Sequence, residues 1–357
     1  MAGSDETPLR VGLDAARAPG AGPATADAAE RTGVVRANAH ATADAAERAR
    51  AAERGAPGAA AGAPGFPRPL DLLVAAYALL SALVAALGAA RGVPGCAPQI
   101  AVSLAVGAAT LLLGFLARRA TNRLVLLLRI AFPAIMYYVF YRQIEILWPV
   151  FHGAALDPLV AGVEQSIFGC QPSLAFRAAA PWPWLSEIFC FAYFAYYFYF
   201  VAFVVAFLRR GYDEAERIVF AVSLCFYCCY AVFWLFPVVG PHYYFPPALG
   251  PRLYDGYVFN HLLFFLTGSG EIHAAAFPSS HVAVAALYTY YARRGARPLF
   301  PAMCVVTGLM LFAVVYLKAH YLVDVPAGLA VGALFAWGAD RAHDRARRAL
   351  RMPPLPR

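Results

Sequence analysis

The stretch PQIAVSLAVGAATLLLGFLA, residues 98–117, indicates the fold class because it runs for 20 residues without a charged side chain. A helix needs about 20 mostly apolar residues to cross the hydrocarbon layer of a bilayer. Comparable apolar runs cover residues 70–90, 124–149, 185–208, 216–238, 278–293, 298–317 and 321–339. The sequence therefore predicts an all-α fold, a polytopic membrane helix bundle of about eight transmembrane helices.

The overall composition agrees with a membrane environment. Hydrophobic residues make up 61% of the 357-residue chain and charged residues only 14%, whereas soluble domains are about half apolar and a quarter charged. The net charge of +8 does not indicate a nucleic-acid partner, because most arginines flank apolar runs. We therefore expect the bilayer itself as a partner and no nucleic acid. The sequence does not indicate the oligomeric state.

The arginines predict the orientation of the bundle. They cluster in four segments between or after apolar runs, at 118–123, 209–217, 293–297 and 341–348. The positive-inside rule assigns such clusters to the cytoplasm. An eight-span arrangement with both termini in the cytoplasm of a bacterial cell satisfies all four. The sixth and eighth runs then begin at the outer face of the membrane.

The chain divides into four predicted segments. Residues 1–65 are rich in Ala, Gly and Pro and are expected to form a disordered cytoplasmic tail. Residues 66–123 supply two additional transmembrane helices, residues 124–340 form the core, and residues 341–357 form a basic tail. The seven cysteines lack the paired spacing of a metal site, and we expect no metal. A disulfide among Cys96, Cys170 and Cys190 is left open.

The stretch Phe277-Pro-Ser-Ser-His281 opens the sixth apolar run. Proline and serine favour the start of a helix, and the free N–H groups of a helix start bind phosphate. His281 in this first turn could protonate a departing oxygen atom. Taken alone, the pentapeptide fits an ordinary helix cap with an interfacial histidine equally well.

The stretch His320-Tyr-Leu-Val-Asp324 opens the eighth run. Residues four apart on a helix are neighbours, so Asp324 is predicted to accept a hydrogen bond from one imidazole nitrogen of His320. The other nitrogen would then be available to attack phosphorus. Although the spacing itself is common, an acid at the start of a membrane span is costly unless it has a partner or a function.

Lys318 is the chain's single lysine and lies two residues before His320. Its charge would neutralise a phosphate oxygen, although an interfacial lysine with its charge in water is the structural alternative. His242, Arg252 and His273 fall in or beside the same outer loop and could also bind phosphate. They are weaker candidates, because an ordinary interfacial or loop position explains each of them as well. Arg142 and Glu145 are predicted to pair or to line the cavity.

These motifs resemble the type 2 phosphatidic acid phosphatase superfamily, and in particular its branch related to aureobasidin-resistance-type inositol phosphorylceramide synthases. The resemblance covers roughly residues 125–340. It is carried by four stretches in the expected order, Phe168-Gly-Cys-Gln-Pro-Ser173, Phe236-Pro-Val-Val-Gly-Pro241, Phe277-Pro-Ser-Ser-His281 and His320-Tyr-Leu-Val-Asp324. The last two are specific when they occur together, and the first two assign the branch.

The resemblance implies a helical membrane core with a metal-free and cofactor-free site. His320 would be the nucleophile that forms a phosphohistidine, Asp324 would orient it, and His281 would protonate the leaving group. Ser279 and Ser280 would hold phosphate oxygens. The substrate would be a phospholipid or a polyprenyl or sphingolipid phosphate.

The chain departs from the superfamily pattern at two positions. Ser280 stands where the pattern has glycine, and Val314 stands where it has arginine. Positions 314 and 318 share one helix face, so Lys318 could replace the arginine, although lysine lacks its bidentate fork.

The sequence is compatible with three classes of function. The favoured class is a metal-independent lipid phosphatase or phosphotransferase. The residues do not decide whether water or a hydroxyl group accepts the phosphoryl group. A non-catalytic transporter or receptor is the main alternative, but the two halves of the chain show no internal repeat. A metal-dependent transferase would need clustered carboxylates, and the acidic residues are scattered.

Overall fold

The computed structural model of the protein describes residues 65–120, 122–245, 256–267 and 272–352. The predicted disordered tail therefore lies outside the described residues, apart from Gly65, and so does Arg252. Within these ranges the chain folds into helices, short 3₁₀ turns and loops, without a strand. The described helices are α1 (Pro69–Ala90), α2 (Cys96–Leu116), α3 (Arg123–Leu147), α4 (Asp157–Phe168), α5 (Pro172–Ala179), α6 (Pro183–Leu208), α7 (Tyr212–Leu235), α8 (Pro241–Tyr244), α9 (Val258–Thr267), α10 (Ser280–Gly295), α11 (Phe300–Tyr316) and α12 (Asp324–Ala349).

The prediction of an all-α membrane bundle is confirmed. Six of these helices, α1, α2, α3, α6, α7 and α11, are long and apolar enough to cross a membrane. The other two predicted spans also form helices, but α10 has only 16 residues and the second half of α12 is rich in charge. The count of about eight spans is therefore approximate, and α12 continues through the predicted basic tail as far as Ala349.

Helix α7 occupies the centre of the bundle. Of the most apolar part of this helix, 67% is buried inside the protein, and it packs against α1, α3, α6, α10 and α12. Its Tyr227 ring stacks on Tyr77 of α1 at 4.4 Å between centroids. Such aromatic packing buries large apolar areas and fixes the two N-terminal helices to the core.

The two ends of the bundle differ in their side chains. At one end α10 and α12 begin, and we call it the histidine end. At the other end α6 and α10 finish, and we call it the arginine end. There Arg210 donates to the carbonyl oxygen of Gly295 at 3.0 Å, and Arg217 lies 3.9 Å from Asp340, so clusters that are distant in sequence meet.

The arginine end also contains buried ion pairs. Arg129 of α3 pairs with Asp71 of α1, and both side chains are buried. Glu216 of α7 lies 3.3 Å from Arg68 and 2.9 Å from His343. Because an unpaired charge would be costly in a buried position, these contacts tie α1, α3, α7 and α12 together.

Two glycines allow α12 to cross α10 closely. A Cβ atom at Gly328 would lie 2.5 Å from the carbonyl oxygen of Ser279, and one at Gly332 would lie 2.7 Å from that of Ala283. Both distances are far below van der Waals contact. The crossing places the start of α12 directly beside the start of α10, where the amide of Ser279 donates to the Asp324 carbonyl oxygen at 3.2 Å.

The short helices α4, α5, α8 and α9 lie in the two long connections at the histidine end, between α3 and α6 and between α7 and α10. Leu156, just before α4, donates its N–H to the Pro237 carbonyl oxygen at 2.8 Å, which joins the first connection to the segment after α7. All seven cysteines are free thiols, so no disulfide forms among Cys96, Cys170 and Cys190.

Candidate active site

The two predicted catalytic histidines meet at the histidine end. Nδ1 of His281 lies 3.3 Å from Nε2 of His320, although the residues are 39 positions apart in sequence. His281 is in the first turn of α10, and His320 lies in the loop that joins α11 to α12. The side chain of His320 is almost fully buried, with 2% of it exposed, while His281 is half-buried.

A backbone carbonyl determines the tautomer of His320. Its Nδ1 lies 2.7 Å from the carbonyl oxygen of Ala276, and a carbonyl oxygen can only accept. Nδ1 therefore carries the proton, and in the neutral ring Nε2 keeps its lone pair. Asp324 is more distant from the same nitrogen, at 3.4 Å, and its Oδ2 accepts from the amide of Tyr321 at 2.8 Å.

Ala276 is held in place by a further chain of contacts. Its N–H donates to the carbonyl oxygen of Val238 at 2.9 Å. The next two amides, of Val239 and Gly240, donate to the Asp157 carboxylate at 2.7 Å and 2.9 Å. Asp157 begins α4 and is fully buried. The Asp157 carboxylate on this short helix thus holds the loop that positions Ala276. The carbonyl oxygen of Ala276 in turn accepts the hydrogen bond from His320.

Helix α4 also contacts the stretch from His320 to Asp324. The hydroxyl of Tyr321 donates to Asp157 at 2.9 Å, and the amide of Val323 donates to Glu164 at 3.1 Å. Both carboxylates are fully buried. Burial raises the pKa of Asp157 and raises the pKa of Glu164 to about 7, because removal from water disfavours a charged carboxylate.

Two tyrosines of α6 flank His281. Ring centroids of Tyr193 and Tyr196 lie 4.6 Å and 4.8 Å from the imidazole of His281. Both tyrosines belong to the apolar run 185–208, and hydropathy alone does not reveal their place at the site, because aromatic residues suit a lipid-facing surface and a protein interior alike.

Lys318 lies beside the histidines with its side chain buried. It adopts a positive φ of 57°, and its carbonyl oxygen accepts from the amide of His242 at 2.9 Å. Burial lowers the pKa of the Lys318 ammonium, and the nearby Arg177 guanidinium lowers it further. Arg177, on α5, is almost fully buried. Sequence analysis assigned Arg177 no role, because nothing near it in sequence marks it.

The other predicted site residues fall in different places. His242 and Ser280 line the same cavity as His281, His320 and Lys318. Ser279 is fully buried, and its hydroxyl caps α10 by accepting from the amide of Val282 at 3.4 Å.

At the rim of the histidine end, His273 lies 2.9 Å from Glu145. Glu145 is in turn 3.9 Å from Arg142, so the predicted pairing of these two residues is present. No group of three or more His, Cys, Asp or Glu side chains in the described ranges is arranged to hold a metal ion.

The site opens into a cavity of about 500 Å³. Its polar part, at the histidine end, holds the histidines and Lys318. Its deeper part is lined by aromatic side chains of α3, α6, α7 and α10. The cavity as a whole has a size that suits a small ligand, and it joins a charged pocket to an apolar chamber inside the bundle.

Comparison with protein families identifies the class. A model described as the PAP2 superfamily matches residues 160–338, which is half of the chain and includes both histidine motifs. The protein belongs to the PAP2 superfamily, whose members are phosphoesterases. Its six apolar helices indicate a multi-pass integral membrane protein. Neither the curated proteins nor the solved structures include a match to the chain.

Proposed function

We propose that the protein is an integral membrane lipid phosphatase or phosphotransferase that acts through a phosphohistidine on Nε2 of His320. The observation that carries the proposal is the 2.7 Å contact between Nδ1 of His320 and the Ala276 carbonyl oxygen. It leaves the lone pair on Nε2, the nitrogen that faces His281 at 3.3 Å. A nucleophile and a proton donor at this separation suit substitution at phosphorus.

In the first step, the phosphoryl group of the substrate enters between the two imidazole rings. Nε2 of His320 forms a bond to phosphorus while the bond from phosphorus to the leaving oxygen breaks. The leaving oxygen takes the electron pair of that bond and the proton that His281 holds on Nδ1. The products are a phosphohistidine and a free alcohol.

In the second step, His281 takes a proton from the acceptor, whose oxygen attacks the phosphohistidine. The bond between phosphorus and nitrogen breaks, and its electron pair returns to Nε2 of His320. Water as the acceptor releases inorganic phosphate, and a hydroxyl group as the acceptor completes a transfer. The stretches 168–173 and 236–241 support the inositol phosphorylceramide synthase type of transfer through their resemblance to that branch.

The remaining site residues hold the phosphate and orient the nucleophile in this proposal. Lys318, Ser280 and His242 contact phosphate oxygens, and Lys318 neutralises charge that develops in the transition state. Asp324 stabilises the positive charge on His320 while the phosphohistidine exists. Ser279 acts indirectly, because its hydroxyl caps the start of α10 and so positions the first turn that carries His281. Arg177 adds positive charge near Lys318.

We further propose that the histidine end faces the outside of the cell. The supporting observation is that the arginines collect at the opposite end, which the positive-inside rule assigns to the cytoplasm. Cys170 is exposed and lies between α4 and α5, at the histidine end. A membrane-impermeant maleimide should label Cys170 in intact cells, and Cys170→Ala should remove that label. Labelling only after cell lysis would reverse the orientation.

The test of the function compares purified wild-type protein with His320→Ala in detergent containing EDTA. Phosphate release is followed with phosphatidic acid and with undecaprenyl diphosphate, and headgroup exchange with an inositol phospholipid. Activity that persists in EDTA and is lost in His320→Ala supports the proposal. Equal activity in both proteins contradicts it, and the absence of all three activities favours a non-catalytic transporter or receptor.

A further inference from the structure

One wall of the cavity comes from a helix outside the segment that the family model matches. Helix α3 precedes residues 160–338, the part of the chain that the family model matches. Ala134, Tyr137, Tyr138 and Tyr141 of α3 nevertheless line the cavity. Spacings of three, four and seven residues put these side chains along one helix face. This face of α3 therefore lines the cavity directly, although α3 precedes the segment that the family model matches.

The opposite wall comes from α6. Helices α3 and α6 both pack against α7, and Tyr193, Tyr197 and Phe200 of α6 line the cavity across from the α3 face. The rings of Tyr137 and Phe200 lie 6.5 Å apart between centroids, so the two walls approach each other in the deeper part of the cavity. The cavity is thus a short aromatic slot between the two helices, with the histidines at its other end.

Two tyrosines of this slot reach the protein surface in the middle of the membrane. Tyr138 is 56% exposed and Tyr197 is 42% exposed, although both line the cavity. At a rise of about 1.5 Å per residue, Tyr138 lies about 18 Å from the Val150 end of its span, and Tyr197 lies about 16 Å from Leu208. The slot therefore opens toward hydrocarbon rather than toward water, and its ligand is apolar at that point.

We propose that the α3 face of Tyr137, Tyr138 and Tyr141 binds the first part of the apolar chain of the lipid substrate and thereby favours lipid substrates over phosphate esters that lack a chain. This proposal rests on the proposed function, since it places the phosphate of that lipid between His281 and His320. The remainder of the chain stays in the bilayer, which the slot reaches at the exposed side chains of Tyr138 and Tyr197. Flat aromatic walls bury the chain at little cost in side-chain entropy.

The first test measures chain selectivity, defined as kcat/KM for dioleoyl phosphatidic acid divided by kcat/KM for the chain-free ester glycerol 3-phosphate. Tyr138→Ala should lower this ratio about tenfold, because contacts with the chain are lost while those with the phosphate remain. Tyr138→Phe should restore most of it. The control is Ile135→Ala, which removes a side chain of α3 that is 60% exposed and lies outside the cavity lining. An unchanged ratio in Tyr138→Ala, or an equal fall in Ile135→Ala, overturns the proposal.

A second test does not need turnover and so separates this proposal from the proposed function. His320→Ala protein is mixed with phosphatidic acid that carries a photoreactive diazirine near the start of one acyl chain. After illumination, crosslinks should fall within residues 134–141 and 193–200, and excess unlabelled phosphatidic acid should compete with them. Tyr138→Ala should weaken them, whereas Ile135→Ala should not. Crosslinks confined to other lipid-facing helices, or insensitive to competition, contradict the chain subsite even if the enzyme is active.

Discussion

The Nδ1 atom of His320 lies 2.7 Å from the carbonyl oxygen of Ala276, closer than its 3.4 Å separation from the Asp324 carboxylate. The orientation of the proposed nucleophile thus depends first on a backbone group. That group is fixed through Val238 and Asp157, which lie far from His320 in sequence. Loops that hold a reactive side chain need such support, because small misplacements of reacting atoms reduce rates strongly.

Replacing Asp157 by asparagine should therefore impair the reaction more than substrate binding. An amide presents a donor to at least one of the three groups that now donate to this carboxylate, so the loop that carries Ala276 should shift. We expect kcat to fall about tenfold with a smaller change in KM. Steady-state kinetics measure both constants. Tyr321→Phe removes one of the three hydrogen bonds and should have a weaker effect, and a rise in KM alone for Asp157→Asn would contradict the positioning role.

The pH dependence of stability should reveal the raised pKa of Glu164. Burial raises its pKa to about 7 from an ordinary value near 4.5, so the folded protein binds this proton more tightly than the unfolded chain. The bound proton contributes about 3 kcal/mol to the free energy of unfolding. This contribution is present in full below pH 4.5 and is lost as the pH rises through 7. Thermal unfolding in detergent at pH 5 and pH 8 measures it. Glu164→Gln keeps the acceptor of the Val323 amide and should lose less stability over that interval, whereas parallel curves would refute the assignment.

The crossing of α10 and α12 can be tested with two glycines of one helix. Gly328→Ala places a methyl group 2.5 Å from the Ser279 carbonyl oxygen and should destabilise the protein by about 1–3 kcal/mol. Because the displaced groups include the starts of both motifs, activity should fall as well. Gly338→Ala, on the same helix with open space around the added atom, should be neutral or slightly stabilising. Unfolding midpoints and phosphate release measure the two effects, and equal behaviour of both variants would exclude a tight crossing.

Lys318 should contribute through its charge. Lys318→Met keeps much of the side-chain length and removes the ammonium, so kcat/KM for a phosphate ester should fall about 100-fold. Lys318→Arg restores the charge in a different shape and should recover part of this loss. Kinetics with phosphatidic acid give the comparison. Full activity in Lys318→Met would assign the buried lysine a structural role only.

Much of the fold follows from the sequence because apolar runs and arginine clusters are local signals. The runs at 98–117 and 185–208 predict α2 and α6 within a few residues. Helices α10 and α12 are less apolar, and the motifs at their starts identify them better than hydropathy. Helix α12 begins at Asp324, three residues after the start of the apolar run 321–339, and its length shows that a charged segment can continue a helix beyond its apolar part.

The site was predictable only where the side chain itself carries the chemistry. His281, His320 and Lys318 stand out by residue type, and the predicted topology places both histidines at one face. The carbonyl oxygen of Ala276 could not be predicted, because every residue has one and only tertiary structure selects it. The sequence does not mark Arg177, because its approach to Lys318 depends on how the loops at the histidine end fold.

The central claim is that phosphate is transferred to Nε2 of His320. The most direct measurement incubates the protein with phosphatidic acid labelled with ³²P, stops the reaction with alkali and maps the label by peptide mass spectrometry. The account predicts a label that is stable in base and labile in acid, located on His320 and absent from His320→Ala. A label on another residue, or full turnover by His320→Ala, would contradict it.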